Sequence, residues 1–206
     1  MKILFNLRIV FIVFCFLTLL GNIWPGDASS DTSGFNTGYK AYLKKNFKKA
    51  IFYWRPLANK GNSNAQYHLG IMFFNGQGVN LDFAKAAKWF QLSAAQGDVG
   101  AQYMIGEMTL KGIGTLKDYK KAGVWFQKSA KQGYPDAQLR LGEWYADETE
   151  GNIDLIQAYV WLSLAEANGL QASKQTIQKI KKKLSNDEIE IANRSAKYWW
   201  LQFQKN

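Results

Sequence analysis

The sequence is poor in the residues that bind soft metals, form disulfides or stiffen linkers. Its 206 residues include one histidine, one cysteine and three prolines. These counts exclude a Cys/His zinc site, a disulfide framework and a c-type haem. Glycine is abundant by contrast, with 18 copies, which favours repeated turns or helix caps. With 47% hydrophobic and 20% charged residues, a packed core is expected rather than global disorder.

The N-terminal segment, residues 1–28, has the composition of a secretory signal peptide. Lys2 and Arg8 make its start positive, and residues 9–20 form an apolar run that is short for a membrane span of about 20 residues. Small residues precede the expected cut after Ala28. We therefore expect a bacterial exported protein, periplasmic or secreted, with no stable membrane insertion after cleavage. An uncleaved N-terminal anchor is the alternative.

The rest of the chain repeats itself with a period of 36 residues. An Ala-Gln pair begins three units, at Ala65, Ala101 and Ala137. Other residue types recur in the same phase: Asp82, Asp118 and Asp154; Ala86, Ala122 and Ala158; Trp89, Trp125 and Trp161; Gly97, Gly133 and Gly169. Because short repeats bury their apolar faces against their neighbours, this period predicts a solenoid.

Each unit is predicted to be a pair of helices. Apolar residues of the first helix recur at i, i+4, i+7 and i+8, which is one helical face. A Gly-x-Gly turn follows, and the second helix begins at an aspartate and ends at a glycine. Gly70 inside the first helix predicts a close helix approach, to the small residue Ala86. The phase of Trp89, Trp125 and Trp161 predicts that all three are core residues.

These motifs resemble the Sel-one-like repeat (SLR) family, a branch of the tetratricopeptide superfamily. The pattern AQYxLGxxxxxGxGVxxDxxKAxxWFxxSAxQG is present with minor substitutions in residues 65–97, and again in residues 101–133, where Thr115 replaces Val79. The third unit keeps the pattern but replaces both turn glycines with glutamates. The resemblance implies an all-α fold, a right-handed α-solenoid of stacked antiparallel helix pairs with a C-terminal capping helix.

The repeat pattern also divides the chain into segments. We expect a signal peptide at 1–28, a flexible tail at 29–37, a tetratricopeptide-like first unit at 38–64, repeats at 65–100 and 101–136, a divergent repeat with an acidic turn at 137–170, and capping helices at 171–206. Charge follows these borders, since the divergent repeat has one basic and six acidic residues in a chain of net charge +10. We interpret the carboxylates of its turn as a solvated loop.

The sequence contains no recognisable catalytic constellation, so we expect a protein that is not an enzyme and uses no cofactor or metal. The single histidine, His68, is interpreted as a surface or groove-edge side chain. No Gly-Lys-Ser/Thr phosphate loop is present. The lysine-rich stretch 179–183 is interpreted as a solvated helix face rather than a nucleic-acid site, with another anionic partner as the alternative. A cell-wall-directed hydrolase or a β-lactam-binding enzyme is the alternative function.

The resemblance implies a scaffold or adaptor that binds a protein or peptide segment in its concave groove, in envelope assembly or host interaction. In tetratricopeptide-like repeats the first helix of each pair lines that groove, so its non-core positions are the candidate site. They are Tyr67, Ile71, Phe74 and Asn75, then Tyr103, Glu107, Leu110 and Lys111, then Leu139, Glu143, Ala146 and Asp147. Their change from aromatic to acidic predicts a ligand apolar at one end and basic at the other. Packing of the tyrosines between repeats is the alternative.

Overall fold

The computed structural model describes residues 28–149 and 153–205, and this part of the chain is all-helical. Its ten helices are α1 (Ala28–Leu43), α2 (Phe47–Asn59), α3 (Ser63–Asn75), α4 (Phe83–Ala95), α5 (Val99–Lys111), α6 (Tyr119–Ala130), α7 (Pro135–Ala146), α8 (Leu155–Ala167), α9 (Ser173–Lys181) and α10 (Asn186–Phe203). Helices α1 to α8 form four pairs, and each pair packs against the next one along the chain. The predicted fold class is confirmed.

The first pair begins earlier than the sequence indicates. Residues 29–37, expected to be a flexible tail, belong to helix α1 instead. The ring of Phe35 stacks on Trp54 with centroids 5.8 Å apart, and Trp54 Nε1 donates a 3.1 Å hydrogen bond to the Phe35 carbonyl. These contacts fix α1 as the first helix of the first repeat. The expected signal peptide lies outside the described residues except for Ala28.

The helices begin and end at residue types that recur at the same position in successive units. Asp82, Asp118 and Asp154 are N-caps, and each side chain accepts a hydrogen bond from the backbone N–H three residues later. Gly76 and Gly112 end α3 and α5 with φ of 65° and 70°, where a side chain would be strained. Among the described helices, none combines the length and the apolar composition needed to cross a membrane.

A glycine in each first helix allows a large apolar side chain of the second helix to approach its backbone. A Cβ atom at Gly70 would lie 2.7 Å from the ring of Phe90, and one at Gly106 would lie 2.7 Å from the ring of Phe126. Both rings are fully buried. The predicted close approach is therefore confirmed, but its partner is the phenylalanine ring and not Ala86.

The tryptophans of the repeat are not all core residues, which corrects the sequence interpretation. Trp125 is half-buried, whereas the next residue, Phe126, is 1% exposed, and Trp89 is half-buried in the same way. Trp161 is buried because Trp199 of α10 lies against it, with ring centroids 5.3 Å apart. Trp89 and Trp125 pack at the edges of the apolar clusters formed by α1 to α3 and by α4 and α5, whereas α10 covers Trp161 in α8.

Helices α9 and α10 close the C-terminal end. The predicted capping box is present, because the Ser185 hydroxyl accepts from the Glu188 backbone N–H while the Glu188 carboxylate accepts from the Ser185 N–H. Helix α10 packs along α8, and Phe203 near its end lies 3.5 Å from where a Cβ atom of Gly133 would be. The capping helix therefore packs on α8 and reaches Gly133, just beyond the end of α6.

Removal of the Phe126 ring should destabilise the stack more than removal of the neighbouring indole. Phe126→Ala leaves a cavity beneath Gly106, and we expect the free energy of unfolding to fall by about 3–5 kcal/mol. Trp125→Ala is the matched control, because a half-buried ring loses less apolar contact, about 1–2 kcal/mol. Urea denaturation followed by circular dichroism measures both changes. A larger loss for Trp125→Ala would contradict the assignment of Phe126 as the core ring.

Candidate functional site

The predicted groove residues lie on α3, α5 and α7, except Asp147, which directly follows α7. The shared side of the first helices of the pairs, α1, α3, α5 and α7, is called here the first-helix face. Their exposure varies along this face. Tyr67, Ile71, Phe74, Tyr103, Leu110, Leu139, Glu143, Ala146 and Asp147 are half-buried, Asn75 and Lys111 are exposed, and Glu107 is buried. The face is therefore built of partly covered side chains and contains few fully exposed ones.

The two tyrosines of the predicted groove pack between units. The ring of Tyr67 comes within 3.0 Å of the position that a Cβ atom of Gly100 would take, and its centroid lies 5.9 Å from that of Phe90. Burial raises the pKa of Tyr67 to about 12. The ring of Tyr103 lies 5.4 Å from that of Tyr134. Contact with the next unit therefore covers part of each tyrosine side chain.

His68, predicted to be a surface or groove-edge residue, is half-buried among aromatic rings. The imidazole stacks on Trp54 with centroids 4.6 Å apart, and Phe35, Tyr42 and Tyr67 lie 5.4 to 6.0 Å away. Burial lowers the pKa of His68 to about 4, so the ring is neutral at pH 7. Helix α1 contributes Phe35 and Tyr42 to this group of rings.

The Ala-Gln pair that defines the repeat forms contacts between units. The Gln66 side chain donates a 3.0 Å hydrogen bond to the carbonyl of Ala58 in the preceding unit and accepts a 2.7 Å bond from Gln96. The same two contacts recur 36 residues later around Gln102. Because buried amides need such partners, these glutamines serve the stacking of the units and not ligand binding.

Four charged side chains form a network between α5 and α7. Arg140 Nε lies 2.9 Å from Glu107 Oε1, and Arg140 Nη1 donates a 2.9 Å hydrogen bond to Glu143. Lys111 Nζ lies 2.5 Å from Glu107 Oε2. Glu107, expected to contact a ligand, is therefore held by two cations and positions Arg140. Sequence reasoning missed Arg140, although the apolar Met104 at the equivalent position one unit earlier was a signal.

A cleft of about 180 Å³ opens beside this network, between α5, α6 and α7. Its walls include three predicted groove residues: Leu110, Glu143 and Asp147. They also include side chains that the sequence analysis did not assign to the site: Tyr119, Phe126, Arg140 and Trp144. The structure thus brings three of the predicted groove residues together in one cleft. Aromatic side chains that were not predicted form another wall of it.

The aromatic wall is held rigidly. The Tyr119 hydroxyl donates a 2.9 Å hydrogen bond to the Trp144 carbonyl, and Trp144 Nε1 donates a 3.0 Å bond to the Tyr119 carbonyl. Their rings stack with centroids 5.4 Å apart. Gly123 makes room, since a Cβ atom there would lie 2.4 Å from the indole. One unit earlier the residues equivalent to Gly123 and Trp144 are Ala87 and Met108, so the cleft forms where the repeat departs from its own pattern.

Asp147 contributes a negative charge where α7 ends. The backbone N–H and the hydroxyl of Thr149 donate to its Oδ1 at 2.9 and 2.6 Å. These hydrogen bonds hold the pKa of Asp147 below its usual value. The equivalent residue one unit earlier is Lys111, so the sign of the charge reverses between the two units.

The acidic turn beyond Asp147 is described only in part. Glu148 forms an ion pair with Lys183, which follows α9, and residues 150–152 lie outside the described part of the chain. Within residues 28–149 and 153–205, no three His, Cys, Asp or Glu side chains are grouped so that they could hold a metal ion.

Four stacked helix pairs, each with a close approach at a glycine of its first helix, define a repeat solenoid of the tetratricopeptide-like class. The chain belongs to the Sel1 repeat family. The family model described as Sel1 repeat matches residues 35–62, 63–98, 99–134 and 135–170, and these four matches correspond to the four helix pairs. The resemblance seen in the sequence is confirmed, and it extends three residues further towards the N-terminus than expected.

Known proteins show the same architecture. A Sel1 repeat protein from Oxalobacter formigenes has a solved structure with a TM-score of 0.57 and 29% identity, covering 63% of this chain and 97% of that one. A protective antigen present in uropathogenic Escherichia coli strains, which displays an SLR fold, has a TM-score of 0.57 and 25% identity, covering 85% of this chain and 48% of the antigen.

One curated relative is similar to this chain over a short segment. The Helicobacter pylori protein HcpE, described as a candidate beta-lactamase, is 36% identical over 67 residues, which is 32% of this chain. The matched segment is 18% of that relative, so the similarity concerns less than a fifth of its length.

Acidification should destabilise the protein through His68. The pKa of histidine is about 6.5 in an unfolded chain, and it is about 4 in the folded protein. The unfolded chain therefore binds more protons between these values. The stabilisation is fully present above pH 6.5 and is lost as the pH falls towards 4. We expect up to about 2 kcal/mol less unfolding free energy at pH 5 than at pH 7.

Urea denaturation at pH 7, 6 and 5 measures this decline. His68→Met, which copies Met104 at the equivalent position, is the matched control. The variant should show a smaller decline, because carboxylates titrate in both proteins while the imidazole titrates in one. Equal declines in both proteins would contradict the burial of a neutral His68.

Proposed function

We propose that the protein is an exported, non-catalytic scaffold that binds a segment of another protein along its first-helix face. Sel1 repeat proteins generally mediate protein–protein interaction. The observation that carries the proposal is the cleft between α5, α6 and α7. This cleft combines a rigid aromatic wall with charged side chains of the first-helix face. Envelope assembly and host interaction are the processes we propose for such a scaffold.

The size and position of the cleft favour a protein segment over a free small molecule. Its volume of about 180 Å³ is below the roughly 300–1,000 Å³ of most small-molecule sites. The first-helix face extends beyond it over α3, where Ile71 and Phe74 are half-buried and Asn75 is exposed. A protein segment can contact several units at once, so weak contacts on each unit add up to useful affinity.

The similarity to HcpE raises a β-lactam-directed or cell-wall-directed enzyme as a second function. Acyl transfer to a protein needs an activated nucleophile such as serine, threonine, cysteine or lysine. The side chains that line the cleft are carboxylates, an arginine, a leucine and aromatic rings, and none of these four nucleophiles is among them. The scaffold function is therefore the one that the cleft supports best.

Export is supported by the sequence of residues 1–28, with basic Lys2 and Arg8 before an apolar run. We expect the protein purified from the envelope or the medium of the cells that produce it to begin at Ser29. Intact-mass and N-terminal analysis of the purified protein measure this. A chain that retains residues 1–28 in the membrane fraction would contradict cleavage and support a tethered scaffold.

Site-specific photo-crosslinking tests where the partner binds. In the cells that naturally produce the protein, a benzophenone amino acid at position 110 should crosslink the protein to its partner, because Leu110 lines the cleft. The same group at position 92 is the matched control, since Leu92 is 43% exposed on the second helix α4. We expect an adduct at position 110 that is absent at position 92, identified by mass spectrometry. Adducts at position 92 alone would show that the partner binds the opposite face.

A further inference from the structure

We infer that the cleft between α5, α6 and α7 receives one arginine or lysine side chain of the bound protein segment. This inference rests on the proposed function and adds to it the residue type that the cleft recognises. Four features of the cleft carry it: the free acidic charge, the helix end beside it, the aromatic wall and the volume.

The first feature is the distribution of charge. Arg140, the basic residue of the cleft wall, is already held by Glu107 at 2.9 Å and by Glu143 at 2.9 Å. Lys111 is also held by Glu107. Among the described residues, no lysine or arginine forms an ion pair with Asp147. The cleft therefore presents one carboxylate without a cationic partner, and an incoming cation would neutralise it.

The second feature is the end of α7. This helix ends at Ala146, immediately before Asp147, so its last carbonyl groups lie beside the carboxylate. The C-terminus of a helix has a partial negative charge, which favours a cation near its last turn. The preceding unit has the opposite arrangement, because Lys111 takes the position of Asp147 and supplies its own cation. A basic ligand group is thus expected at the third repeat and not at the second.

The third feature is the aromatic wall. Trp144 and Tyr119 are locked by two reciprocal hydrogen bonds, so their rings are already fixed before a ligand arrives. The aliphatic stem and the charged group of arginine or lysine pack well on such rings through apolar contact and cation–π attraction. Leu110 on α5 provides apolar surface on another side of the cleft.

The fourth feature is the volume. About 180 Å³ accommodates a single long side chain and is too small for a folded element or a drug-sized ligand. A side chain that enters from an extended segment would leave the backbone of the segment on the first-helix face. This geometry gives the cleft the role of one specificity pocket within a longer binding surface.

Selection from a random dodecapeptide library displayed on phage tests the inference, with the purified full protein as the target. We expect the recovered peptides to share arginine or lysine at one position. Replacing that residue with citrulline or norleucine, which are uncharged, should weaken binding to the unchanged protein by roughly tenfold or more. This arm of the experiment needs no protein variant to fold.

Protein variants locate the effect. Asp147→Asn should weaken binding of the selected peptide roughly tenfold. Glu148→Gln is the matched control, because it removes the same charge from the next residue, which pairs with Lys183 outside the cleft. Asp147→Lys, which copies Lys111, should abolish selection of the basic residue. Thermal denaturation confirms that each variant is folded.

The outcomes separate this inference from the proposed function. Peptides that bind and block crosslinking at position 110 but share no basic residue would overturn the inference and leave the scaffold function standing. The inference would also be overturned if the basic residue of the peptide still contributed to binding in Asp147→Asn but not in Glu148→Gln. That result would show that the basic residue binds at the acidic turn and not in the cleft. Recovery of no binding peptide, together with no crosslink at position 110, would overturn both.

Discussion

The contact between a glycine of the first helix and a ring of the second sets the geometry on which the rest of the stack depends. At Gly106 the ring of Phe126 occupies the space that a Cβ atom would need, so the two helices lie closer than ordinary side chains allow. The helical cost of glycine, about 1 kcal/mol relative to alanine, is offset by the burial of a whole ring. The equivalent glycine meets an aromatic ring in each of the first three pairs and Leu162 in the fourth.

The contacts that hold the units together leave a defined set of positions for function. Buried amides such as Gln66 and Gln102 connect each unit to the preceding one, and their partners recur every 36 residues. A residue that differs from its equivalents in the other units is not needed for these contacts between units. Gly123, Arg140 and Trp144 all differ in this way, and they surround one cleft. The repeated residues thus account for the fold, while these three exceptions to the repeat form the cleft that we propose as the binding site.

The sequence predicted the fold more completely than the site. Periodic glycines and N-cap aspartates indicated the helix pairs, because caps and helical faces depend on residues three or four apart. The groove positions were predicted from the face of one helix at a time. That approach included Leu110 and Asp147, which line the cleft, and Glu107, which pairs with Arg140, but it did not include Arg140 itself. The ion pair between Glu107 and Arg140 joins two units, and no local spacing encodes it.

By itself, the sequence determined the repeat period, the helix pairs, their caps and the capping box at Ser185, because each depends on neighbours within a turn or two of the chain. The tertiary structure decided which side chains are covered. His68 is a half-buried, neutral imidazole because α1 places Phe35 against it, and Trp161 is a core residue because α10 places Trp199 over it. Burial is a property of the assembled stack: residues with the same repeat phase differ when a distant segment covers one of them and not the others.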